Sequence, residues 1–221
     1  MSKLYFRHGA MNSGKSTALL QAAFNYEERG QQVLLAKPQI DTKGESLIVS
    51  RLGVTRPVDF TVRPDEDIYR AFSIERERVR GQTGLEVSCL LLDEAQFLTE
   101  GQVDDLFRIA IQEDVPVLAY GIRTDFQTVA FPGSRRLLEI AHSLEELKTI
   151  CRCGRKAMFN ARKVDGIFVF DGDQVAIDTG RVTYESLCGA CYLEESGGTL
   201  NNGWRPKVDF SYTGGPDPDF S

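Results

Sequence analysis

Two groups of residues in this chain carry types and spacings that could do chemistry. The first is Gly9-Ala10-Met11-Asn12-Ser13-Gly14-Lys15-Ser16, which fits G-x-x-x-x-G-K-[ST], the pattern of a phosphate-binding loop. Glycines let such a backbone curl around an anion, Lys15 can reach terminal phosphates, and the Ser16 hydroxyl can sit on a Mg²⁺. The partner feature lies downstream, where the apolar run Val87-Ser88-Cys89-Leu90-Leu91-Leu92 ends in Asp93-Glu94. An acid at the end of a buried strand can position Mg²⁺, directly or through water. On an extended backbone neighbouring side chains point to opposite sides. Asp93 can then face the metal while Glu94 faces an acceptor hydroxyl or an attacking water. The second group is Cys151-x-Cys153 and Cys188-x-x-Cys191, with residues 154–187 between the pairs. Two close thiolate pairs suit a closed tetrahedral Zn²⁺ site, a structural ion with no open position for catalysis. Cys89, the fifth cysteine, reads as a small core residue.

These groups need elements to hold them. Leu4-Tyr5-Phe6 reads as a short strand ahead of the loop. Ala18, Leu19, Ala22, Ala23 and Tyr26 recur at helical spacing up to Arg29-Gly30, so the loop opens a helix whose free N–H groups and dipole attract phosphate. Val33-Leu34-Leu35-Ala36 follows as a second strand, and strand–loop–helix–strand is the start of a parallel α/β sheet. Residues 37–57 read as a polar connection with a loop at Asp41-Thr42-Lys43-Gly44. A strand over 58–62 and a charged helix over 65–80 come next. Thr99-Glu100-Gly101-Gln102 is a capping-box signature for a helix through Val103, Leu106, Phe107 and Ala110. Val115 to Tyr120 reads as a further strand, 134–141 as a helix and 144–150 as a last sheet strand. After Cys151 the texture changes to short segments punctuated by Asp165-Gly166, Asp171-Gly172 and Thr179-Gly180, which predicts a small β-ribbon without helix. Gly, Pro, Asn and Asp dominate from about Ser196, which predicts a disordered tail, with Trp204 as the residue that could dock on the body. The expected organisation is a nucleotide-binding α/β domain over 1–150, a zinc-binding β-ribbon over 151–195 and a tail over 196–221.

Composition narrows the function class. With 221 residues, 42% hydrophobic and 26% charged, the chain can bury a full core. A net charge of −6 and a pI near 5.1 argue against a nucleic-acid partner, which calls for a basic patch. There is no membrane-length apolar run and no signal-peptide pattern after Met1, so the expected address is cytoplasmic. In that reducing setting five cysteines point to metal binding or reactivity rather than disulfides.

The ordered set resembles the type II thymidine kinases, in their bacterial form. It comprises residues 10–17, Leu92-Asp93-Glu94-Ala95-Gln96-Phe97, Tyr120-Gly121-Ile122-Arg123-Thr124-Asp125-Phe126 and Ile150-Cys151-Arg152-Cys153-Gly154-Arg155-Lys156-Ala157. The likeness runs from about Lys3 to about Leu193. It implies a RecA-like α/β domain with a zinc-anchored lasso that closes over a nucleoside, and transfer of the ATP γ-phosphate to the 5′-hydroxyl of thymidine or deoxyuridine. By that resemblance Gly9, Ala10, Met11, Asn12, Ser13, Gly14, Lys15, Ser16 and Thr17, with Asp93 and Gln96, hold the nucleotide and its Mg²⁺. Glu94 is the general base. Met11, Phe97, Ile122, Phe126 and Phe131 wall the base pocket. Tyr184 and the backbone near Val175 and Ile177 bond the thymine edge, Asn160 is a pocket residue, and Asp41 lies on a loop near the site. The resemblance also implies a homotetramer and feedback inhibition by dTTP. Two other readings of the residues stand beside it: a RecA-like ATPase in which Glu94 activates water, and a zinc-ribbon nucleic-acid-binding protein with a regulatory nucleotide site.

Overall fold

A computed structural model describes residues 1–39, 46–174, 181–198 and 200. The expectations placed on Asp41, on Val175 and Ile177, and on Trp204 and nearly all of the tail lie outside the described residues. In chain order, β1 (Leu4–His8) leads to α1 (Lys15–Glu27) and β2 (Gln32–Pro38). Three short strands follow: β3 (Leu47–Val49), β4 (Thr55–Pro57) and β5 (Phe60–Val62). Then come α2 (Ile68–Thr83), β6 (Val87–Leu92), a 3-10 turn (Ala95–Phe97), α3 (Glu100–Gln112), β7 (Val117–Gly121), α4 (Pro132–Ile140) and β8 (Ser143–Glu146). The remainder is β9 (Thr149–Ile150), β10 (Lys156–Ala157), β11 (Phe159–Val164), β12 (Ile167–Val169), β13 (Val182–Leu187) and α5 (Gly189–Glu195).

The central sheet has the order β5-β2-β6-β7-β1-β8, and every pairing in it is parallel. A parallel sheet covered on both faces reads as continuous apolar strands whose alternate residues serve opposite sides. Leu34, Ala36, Leu90, Leu92, Val117 and Ala119 enter the core under α2 and α3, whereas Val33, Leu35, Cys89, Leu91, Leu118 and Tyr120 pack under α1. The sheet therefore fixes the carboxyl ends of β1, β2, β6 and β7 side by side, where ligands bind in open α/β sheets.

Helix ends follow their chemistry. The capping box read at Thr99 and Gln102 is present in full at the start of α3. Helix α2 begins at Ile68, later than the expected residue 65, because the Asp67 carboxylate accepts the Arg70 N–H at 2.8 Å and caps it there. Pro132 opens α4 two residues before the expected start, a position where its missing N–H costs nothing.

Three expectations are corrected. The connection after β2 contains the antiparallel β3–β4 hairpin, pinned to α1 by the two-pronged Arg56–Glu27 ion pair. The segment expected as one strand over 144–150 divides. Its first part, β8, joins the main sheet, and β9 pairs with β10 in a separate two-stranded ribbon. The C-terminal unit has the expected sheet, β12-β11-β13, but also a helix, α5, that was not expected. Its small core collects Cys151, Ala157, Ala161, Leu187, Cys188, Cys191 and Tyr192.

Candidate active site

The segment after β1 turns tightly onto α1. A Cβ on Gly9 would lie 2.4 Å from both the Leu147 carbonyl oxygen and Ser13 Oγ, so only glycine fits that close approach. Asn12 and Gly14 take positive φ, 68° and 78°, which curls the loop. Lys15 folds back across it, its Nζ donating to the carbonyls of Ala10 (3.0 Å) and Gly9 (3.3 Å). Burial pulls the Lys15 ammonium below its usual range, and the charges of Glu94 and Asp93 oppose that pull.

The acidic pair stands at the end of β6. Asp93 is buried and accepts the Ser16 hydroxyl at 2.9 Å on Oδ2 and the Glu94 N–H at 3.0 Å on Oδ1. Burial first, and then the neighbouring Glu94 charge, push Asp93 up to about 6. A carboxylate held so close to a second one, beside a loop hydroxyl, gains from a divalent cation, and Ser16 and Asp93 are the donor set that fits Mg²⁺. Glu94 is not extended as the strand pattern suggested. It sits in the left-handed region (φ 53°, ψ 36°) at the head of the 3-10 turn, a conformation that costs a non-glycine residue about 1–2 kcal/mol. Strain of this kind gathers at functional sites. Gln96 secures the arrangement. Its amide donates to Glu94 Oε2 at 2.5 Å, while its carbonyl accepts the Ile122 N–H at 3.2 Å. A Cβ on Gly121 would lie 2.8 Å from Gln96 Oε1 and 3.2 Å from the Gln96 backbone nitrogen, so any larger residue there would push the Gln96 amide out of place.

These groups open into one cleft of about 530 Å³. Its lining combines Lys15, Ser16 and Thr17 with Met11, Phe97, Ile122, Phe131, Asn160 and Tyr184, and includes Glu94 and Gln96. Phe97 and Phe131 meet edge to face at 5.5 Å and together give the cleft an aromatic wall against which an apolar or aromatic group can pack. Asn160 is buried, and its side chain receives the Met11 N–H at 2.7 Å and donates to the Thr124 carbonyl at 3.1 Å.

In the C-terminal unit the Sγ atoms of Cys151, Cys153, Cys188 and Cys191 all lie within 4.8 Å of one another, with Cys153 and Cys188 3.5 Å apart. Tetrahedral Zn–S bonds of about 2.3 Å place sulfurs roughly 3.8 Å apart, so the four-thiol set fits zinc. Each pair is shaped for the task. The first turns through Gly154 (φ 83°), whose N–H returns to the Cys151 carbonyl at 2.8 Å. In the second, Cys188 caps α5 and places Cys191 in its first turn.

A family model described as thymidine kinase matches residues 2–192. The chain belongs to the thymidine kinase family. It is 44% identical over 203 residues to the thymidine kinase of Legionella pneumophila (strain Paris), covering 90% of this chain and 92% of that one. It is 46% identical to the thymidine kinase of Ruegeria pomeroyi, over 89% of this chain and 96% of that one. To the thymidine kinase of Idiomarina loihiensis it is 47% identical, over 89% and 99%.

Of the five residues expected to wall the base pocket, Met11, Phe97, Ile122 and Phe131 line the cleft and Phe126 does not. Phe126 is buried under the Arg162 guanidinium, 3.6 Å above its ring. Lys37, Val49, Arg51, Asp125 and Gln174 do line it and were not singled out. Asp125 lay inside a quoted motif and could have been found there. Its carboxylate accepts the N–H groups of Gln127 and Val129 on Oδ1 and the Gln174 amide, at 3.0 Å, on Oδ2. It thus ties the wall after β7 to the C-terminal unit. Among the described residues no helix is long and apolar enough to cross a membrane.

Proposed function

We propose that this chain transfers the γ-phosphoryl group of ATP to the 5′-hydroxyl of thymidine, with deoxyuridine as a second acceptor, giving the nucleoside monophosphate and ADP. One observation carries the reading in a chain of this family. Lys15 and Ser16 of the loop, Glu94 at the end of β6 and the apolar residues Met11, Phe97, Ile122 and Phe131 all line a single cleft. The residues at 9–17 bind the nucleotide phosphates, with Ser16 and Asp93 holding Mg²⁺. Bound there, Mg²⁺ neutralises charge on the phosphates as the transfer proceeds. Gln96 occupies Oε2 of Glu94, which leaves Oε1 to accept the proton of the 5′-hydroxyl. Positioning and charge neutralisation supply most of the barrier reduction in phosphoryl transfer, so loop, ion and one base suffice.

Met11, Phe97, Ile122 and Phe131 enclose the base, and Asn160 shapes the pocket from below. Tyr184 and the backbone near Val175 and Ile177 bond the thymine edge, and Asp41 acts from the loop beside the site. The domain division falls near residue 150, with the zinc-held unit over 151–195. The working form is a cytoplasmic homotetramer inhibited by dTTP, which carries a thymine and a triphosphate together. Nucleic acid has no part in this reading.

The test is ADP release from Mg-ATP across a panel of nucleosides. Thymidine and deoxyuridine are expected to stimulate it, and purine nucleosides and cytidine to leave it at background. A wrong base strands polar groups in the pocket, which typically costs 10⁴–10⁵ in selectivity. Equal stimulation by every nucleoside would overturn the acceptor assignment.

A further inference from the structure

The C-terminal unit reaches into the phosphate loop at one residue. The Met11 N–H donates to Asn160 Oδ1 at 2.7 Å, and the Met11 carbonyl accepts the Ser186 hydroxyl. Asn160 and Ser186 are direct partners across the β11–β13 ladder, so one cross-strand pair grips both backbone polar groups of one loop residue. Both side chains are buried, 3% and 7% exposed. The grip falls where the loop reverses, because the next residue, Asn12, is left-handed. Strand β13 then runs directly into Cys188, a member of the thiol cluster. Two residues before Ser186 and on the same face of the strand, Tyr184 lines the cleft.

We propose that Asn160 and Ser186 are positioning residues that set the posture of the phosphate loop, and so couple nucleoside binding to nucleotide binding. This rests on the proposed function, in which the nucleoside packs beneath the C-terminal unit. A nucleoside that orders β13 through Tyr184 orders the Met11 grip with it, and the nucleotide then meets a loop already curled. By linkage the effect is reciprocal: nucleotide tightens nucleoside binding by the same factor.

The test measures affinity rather than turnover. ADP binding is followed by calorimetry with and without saturating thymidine, in the wild-type chain and in Ser186→Ala, Ser186→Thr and Asn160→Leu. A lost hydrogen bond that leaves a carbonyl unpaired corresponds to about a fivefold to tenfold loss. Ser186→Ala and Asn160→Leu are each expected to weaken ADP binding by that factor and to bring the thymidine–ADP coupling factor close to one. Ser186→Thr keeps the hydroxyl and is expected to restore both. Zinc content and melting temperature are expected to match the wild-type chain. Unchanged ADP affinity and coupling in Ser186→Ala and Asn160→Leu would overturn the inference alone, as would failure of Ser186→Thr to restore them. Losses that come with lost zinc or a collapsed melting transition would place these side chains in stability only, and would also overturn it. A wild-type chain that binds ADP but neither thymidine nor deoxyuridine would overturn the acceptor reading itself, and this inference with it.

Discussion

Glu94→Gln is expected to lower kcat by ~10²–10⁴-fold, the usual contribution of a positioned general base, while nucleotide binding survives. The change keeps shape and volume and removes only basicity. The strained backbone at Glu94 and the Gln96 amide on its Oε2 are arranged around a carboxylate, and the amide can still be met by the Gln oxygen. A fall in kcat with little change in the ATP KM is therefore the signature of lost proton acceptance rather than lost binding. Asp93→Asn behaves differently. Asp93 is the partner of Ser16 and belongs to the set that fits Mg²⁺, so Mg-dependent binding and turnover are expected to fall together. Near-normal turnover in Glu94→Gln would mean that the acceptor proton leaves late, to the phosphate itself, and would reduce Glu94 to a structural role.

The second large effect is expected at the zinc site. The C-terminal core holds few buried residues, and a core of that size supplies little net stability once chain entropy is counted. A structural zinc contributes roughly 10–16 kcal/mol in small domains, enough to decide whether such a unit is folded. We expect one zinc per chain, and Cys188→Ser to lose it. Tyr184, on the strand that ends beside Cys188, then loses its footing, so the thymidine KM rises far more than the ATP KM. The ATP term is not zero, because the same strand carries the Ser186 contact to Met11. Elemental analysis of protein purified without chelator reads the first expectation, and steady-state kinetics the second. Protein free of zinc with an unaltered thymidine KM would contradict both.

The parts of the site legible in the sequence are those whose chemistry is local. Residues 9–16 specify a curled loop through glycines at fixed offsets. The apolar strand ending at Asp93 declares itself by its own composition, and the Thr99–Gln102 cap is a contact between near neighbours. What was missed depends on residues distant in sequence. The strands β3 and β4 have three residues each, too short for alternation to register, and Arg56 anchors them to Glu27 on α1. Helix α5 has seven residues, less than the span over which helical periodicity can be read. Phe126 looks like a pocket aromatic until Arg162, supplied by β11, covers its ring. Gln174 is held at the cleft wall by residues distant in sequence, its amide donating to Asp125 and its carbonyl accepting from Arg162. The extended backbone expected at Glu94 was wrong, because the 3-10 turn that twists it begins only at the next residue.

The most direct test of the account is the stoichiometry of transfer. The wild-type chain is mixed with Mg-ATP, with and without thymidine, and ADP and thymidine monophosphate are quantified together over time. The account predicts one monophosphate for each ADP when thymidine is present, and ADP at background when it is absent. ADP released at the same rate without thymidine, and with no monophosphate formed, would identify water as the acceptor and contradict the assignment of this cleft to a nucleoside.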